Sequence, residues 1–74
     1  MATRQDKIKR LEQLTGKTYL QLAREATYDS LAYCICMNDG CCNYEKLEPD
    51  QDAGWCEDCQ ENSMKSILIL LDLI

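Results

Sequence analysis

The chain has no histidine and no phenylalanine, and only one proline and three glycines among its 74 residues. Without histidine it lacks the commonest general base at neutral pH, and it lacks the imidazole that catalytic zinc sites usually carry. A long hydrophobic run is also missing. The most apolar stretch, Ile67-Leu68-Ile69-Leu70-Leu71-Asp72-Leu73-Ile74, is eight residues long and contains Asp72. A membrane-spanning helix needs roughly 20 apolar residues, so no membrane association is expected. The opening MATRQDKIKR is charged, and no apolar stretch follows it, which does not read as a secretory signal. The expectation is a cytoplasmic protein. In that reducing setting clustered cysteines serve metals or catalysis more often than cross-links.

What is present is cysteine and charge. Seventy-four residues make one small domain, expected to span 1–74. A chain of this size buries only about 60% of its unfolded surface, which leaves a hydrophobic core alone marginal. The formal net charge of −5 is unevenly spread. Arg4, Lys7, Lys9, Arg10, Lys17 and Arg24 face only Asp6 and Glu12 within residues 1–24, a net +4. Residues 25–74 hold Lys46 and Lys65 against eleven acids, a net −9. Such asymmetry suits a nucleic-acid surface, or two halves that attract each other within or between chains.

Residues 1–32 read as helical. Thr3 with Asp6 forms an N-terminal capping pattern, Ile8, Leu11 and Leu14 line one face, and Gly16 ends the helix. Thr18 with Gln21 caps a second helix running to about Ala26, with Leu20, Ala23, Tyr19 and Leu22 on its apolar side. Thr27–Ile35 is compatible with a helical turn or an extended segment. Asn43–Leu47 alternates as a strand, Pro49–Gly54 is a loop, and Trp55-Cys56 resumes, so one hairpin is expected to link the cysteine clusters. Residues 63–74 are expected to form a C-terminal helix capped by Asn62 or Ser63, although the run is β-branched enough for a strand. Trp55 and Tyr44 are expected to pack beside the cysteines or against a helix.

All six cysteines lie within Cys34–Cys59. Cys36-Met37-Asn38-Asp39-Gly40-Cys41 is a C-x4-C, and Cys56-Glu57-Asp58-Cys59 is a C-x2-C, with 14 residues between the two motifs. The pairing is close to the structural zinc pattern, in which two tight turns each present two thiolates to one tetrahedral ion. Cys42 is a rival for Cys41 at a shift of one residue, and Cys34 is a rival for Cys36.

From CMNDGC through the strand and acidic loop to Gly54-Trp55 and CEDC, the chain resembles a zinc ribbon, and more narrowly the small zinc-ribbon proteins of bacteria and phages. The resemblance covers residues 36–59 and implies a zinc-binding fold; with the helices read above, the expected fold is α+β, a ribbon over residues 33–62 flanked by two short N-terminal helices and a C-terminal helix. It implies one structural Zn²⁺ held by Cys36, Cys41, Cys56 and Cys59.

The other chemistries are weaker. Disulfides meet the compartment argument, an iron–sulfur cluster suits a ribbon hairpin less well than zinc, and no βαβ pattern surrounds the C-x2-C as a redox motif would require. Thr15-Gly16-Lys17-Thr18 has the end of a P-loop without its first glycine or preceding strand. Four thiolates close a metal to substrate, and Asp50, Asp52, Glu57, Asp58 and Glu61 read as a solvated acidic surface, so no enzymatic activity is expected. The expected role is a protein-interaction or regulatory module. The alternative is a nucleic-acid-binding regulator using the six basic residues of the N-terminal helices. A homodimer through the apolar segment Met64–Ile74 is a further expectation about partners.

Overall fold

The computed structural model describes residues 3–73. Two helices lead the chain, α1 (Arg4–Thr15) and α2 (Tyr19–Tyr28). Thr3 caps α1 by accepting from the Asp6 amide at 3.1 Å, while the Asp6 carboxylate accepts from the Thr3 amide at 3.2 Å. Donation to the carboxylate from the Thr3 amide, and then from the Thr3 side chain, lowers the Asp6 pKa. Gly16 ends α1 at φ 73°, the left-handed conformation that glycine adopts without steric cost. Thr18 caps α2 by accepting from the Gln21 amide. The helices are tied together by Glu12, which accepts from the Tyr19 amide at 2.8 Å, and by the Lys17–Glu25 ion pair.

The apolar faces differ from expectation at three positions. In α2 the buried residues are Leu22 and Ala26, one turn apart, whereas Leu20 is 66% exposed and Tyr19 is also exposed. Two residues amount to about 200° around a helix, so Leu20 and Leu22 cannot share a face. Leu14 likewise lies at the border of exposure, while Leu11 is fully buried.

Four strands follow: β1 (Ala32–Cys36), β2 (Tyr44–Leu47), β3 (Gly54–Cys56) and β4 (Glu61–Ser66). They form one antiparallel sheet in the order β2-β1-β4-β3. This corrects the expected single hairpin, because β2 and β3 lie at opposite edges of the sheet and do not pair. Each belongs to its own hairpin, β1–β2 or β3–β4. The central pairing is β1 with β4, in the register Cys34↔Ser66 and Cys36↔Met64.

The expected C-terminal helix over 63–74 is also corrected. Residues up to Ser66 are strand, and the helix α3 spans only Ile67–Leu70. Its cap is Ser66, whose Oγ accepts from the Ile69 amide at 3.2 Å. The strand wins because β4 finds backbone partners on both sides, and alternate residues Met64 and Ser66 are buried. Ile74 lies outside the described residues.

Two apolar clusters result. Leu11, Leu22, Ala26, Ile35, Ile67, Leu68 and Leu70 join the helices to the sheet. Cys34, Cys36, Cys56 and Met64 form the second, with Cys41, Leu47 and Cys59 packed against it. Ile67, Leu68 and Leu70 are thus core, which removes most of the apolar surplus that motivated a homodimer, although Leu73 is exposed. Trp55, between Gly54 and Cys56 in β3, is 53% exposed. Tyr44 lies 6.1 Å from Tyr33 between ring centroids and donates to the Leu14 carbonyl at 3.4 Å.

Replacing Leu11 by alanine leaves a cavity at the junction of helices and sheet, and is expected to lower stability by about 2–5 kcal/mol. Urea unfolding measures this, and an unchanged midpoint would contradict the packing.

Candidate metal centre

Sheet order places the cysteines. Cys36 ends β1 and Cys41 sits in the turn to β2, while Cys56 ends β3 and Cys59 sits in the turn to β4. Because β1 and β4 run antiparallel as neighbours, the end of one lies beside the start of the other. Both turns therefore emerge at one end of the sheet. The Met37 amide extends the pairing by donating to the Ser63 carbonyl at 2.8 Å.

The four sulfurs of Cys36, Cys41, Cys56 and Cys59 all lie within 4.8 Å of one another. Two contacts run between the turns, Cys36 to Cys59 at 3.7 Å and Cys41 to Cys56 at 3.8 Å. A disulfide would bring sulfurs to about 2.05 Å, and all six cysteines are free. Around a tetrahedral ion with metal–sulfur bonds near 2.3 Å, ligand sulfurs lie about 3.8 Å apart. The four residues could hold one metal ion.

Local geometry turns the sulfurs inward. Gly40 adopts φ 78° just before Cys41, and the Cys41 amide donates to the Asn38 carbonyl at 3.2 Å, closing the first turn. In the second turn the Gln60 amide donates to the Cys56 carbonyl at 2.7 Å, with Gln60 itself left-handed at φ 55°. Polar donors surround the sulfurs. The Asn43 side-chain Nδ2 donates to Cys56 Sγ at 3.5 Å, and the Ser63 hydroxyl lies 3.0 Å from Cys36 Sγ. The Asn38 side chain bonds both Cys59 and Glu61.

These contacts divide the thiols electrostatically. Cys56 is lowered to about 6, first by the Asn43 side chain and then by the Cys59 backbone amide and its sulfur neighbours, against burial. Cys41 accepts from the Asn43 backbone amide, which lowers it. Burial and the sulfurs of Cys36, Cys59 and Cys56 outweigh that bond and push it up to about 12. One thiolate among the four thus opposes the ionisation of the next. A cation at the centre of such a set would favour its deprotonation.

The remaining two thiols stand outside this cluster. Cys34 is fully buried in β1, contacts the Ala32 carbonyl, and is pushed up to about 12 by burial. Cys42 is exposed beside the first turn. Sequence reasoning missed the supporting residues Asn38, Asn43, Ser63 and Lys7. The Lys7 ammonium, on a side chain only 5% exposed, donates to the Asn38 carbonyl at 2.6 Å and the Cys41 carbonyl at 2.9 Å. A signal for it existed: Lys7 stands one helical turn before Leu11 on the buried face of α1.

Iodoacetamide treatment of the folded protein is expected to label Cys42 well before Cys34, since only a thiolate within reach of reagent reacts. Rapid labelling of Cys34 without denaturant would contradict its placement. Among the described residues no helix is long and apolar enough to cross a membrane. No protein family, curated protein or solved structure matches the chain.

Proposed function

We propose that the chain binds one structural Zn²⁺ through Cys36, Cys41, Cys56 and Cys59, and that it serves as a small protein-interaction or regulatory module of the zinc-ribbon kind. The observation that carries this reading is the convergence of four sulfurs from two turns to within 4.8 Å of one another. Zinc suits the site because it takes four thiolates in a tetrahedron and needs no redox partner. When bound it would supply a cross-link between the β1–β2 and β3–β4 turns. Four protein ligands leave no position for substrate water, which favours a structural over a catalytic role.

The surface supports a protein partner over nucleic acid. Residues 25–74 carry a net −9, and four thiolates around a divalent ion add a local −2. Of the six basic residues that a nucleic acid would use, Lys7 is buried, Arg4 pairs with Asp72 at 2.8 Å, and Lys17 pairs with Glu25.

Metal analysis of protein purified under reducing conditions, with circular dichroism before and after chelation, tests the reading. About one zinc per chain, and loss of ordered structure on its removal, is expected of a structural site. Metal-free protein that remains folded would overturn it, and one iron per chain would overturn the choice of zinc. Salt-dependent binding of DNA or RNA would overturn the preference for a protein partner.

A further inference from the structure

We infer that Lys7 of α1 is a positioning residue of the metal centre, a buried cation that closes the first cysteine turn and compensates the negative charge of the loaded site. The inference rests on the metal reading above.

Lysine is almost never fully buried unless it is paired. Lys7 is 5% exposed, yet both of its bonded partners are neutral carbonyls, those of Asn38 and Cys41. Among the described residues no carboxylate lies within ion-pair distance of its ammonium. The adjacent Asp6 carboxylate is engaged in capping α1, where it accepts from the Thr3 amide. A buried charge without a counter-charge is costly. Four thiolates around a divalent ion, one of them on the residue whose carbonyl Lys7 grips, are the counter-charge the position calls for.

The contacts also have a geometric consequence. The Asn38 carbonyl accepts both from Lys7 and from the Cys41 amide, so the ammonium grips the two ends of the turn Asn38–Cys41. This fixes the direction in which Cys41 presents its sulfur. Beside it a small cavity of about 150 Å³ is lined by Asp6, Lys7, Arg10, Gly40, Cys41 and Cys42. Arg10, one turn further along α1, thus adds a second positive charge over the same turn. The charge asymmetry of the sequence is used, in part, inside the chain. The basic first helix sits against the metal turn.

The test compares zinc affinity, by competition with a chromophoric chelator, in wild type, Lys7→Met, Lys7→Arg and Lys9→Met. Loss of a group that orients metal ligands typically weakens metal binding by about 10- to 100-fold, and that loss is expected for Lys7→Met. Lys7→Arg, which keeps the charge and the donors, is expected to recover most of it, and the exposed Lys9→Met to match wild type. Lys7→Met binding zinc within about twofold of wild type would overturn the inference while leaving the metal site standing. Wild type that binds no zinc would overturn the metal reading and this inference together. Should Lys7→Met fail to fold, the zinc-loaded wild type decides by NMR. A Lys7 ammonium signal protected from solvent exchange supports the clamp, and a freely exchanging one overturns it.

Discussion

The antiparallel pairing of β1 with β4 is the constraint on which the remaining structure depends. It joins two local hairpins that would otherwise be independent, and it decides that their turns leave the sheet at the same end. With β2 and β3 on the outer edges, each cysteine pair is made by one hairpin, and the acidic loop between them carries none of the cysteines. The same pairing sorts the faces of β1. Ile35 goes to the helical core, while Cys34 and Cys36 go to the sulfur-lined cluster with Met64. Pulling β4 away would undo the core and the four-sulfur cluster together.

The energetic case for a metal follows from scale. Below about 70–80 residues a hydrophobic core rarely supplies more than roughly 3–5 kcal/mol, and most such domains carry a further staple. The second cluster here is built mainly from cysteine side chains around one methionine, a thin core without a central ion. Structural zinc contributes apparent binding free energies of about 10–16 kcal/mol in small zinc-binding peptides at neutral pH. A term of that size would exceed the net stability that a core of this size supplies alone. The Asn43 side chain acts on the same balance, because its bond to Cys56 favours thiolate over thiol there.

Much of this was legible in the sequence, and the parts that were not share a cause. The caps at Thr3, Gly16 and Thr18 are local chemistry, set by residues within one turn, and they appear where the residue types place them. Cys36, Cys41, Cys56 and Cys59 were singled out by motif spacing, and the fold brings their sulfurs together. The misreadings concern partners distant in sequence. Nothing around Met64 and Lys65 announces that β1, some 30 residues earlier, will supply their ladder, so a local apolar period suggested helix. Asn43–Leu47 and Trp55-Cys56 were both extended segments, but no local feature says which neighbour each will choose. Lys7 was counted among surface charges because its acceptors lie 31 and 34 residues away.

The central claim is that these four sulfurs surround one divalent ion. X-ray absorption at the zinc edge of the loaded protein tests it most directly. The account predicts a single shell of four sulfurs at about 2.3 Å, with no nitrogen or oxygen in the first shell. A mixed shell containing oxygen or nitrogen, or fewer than four sulfurs, would contradict it.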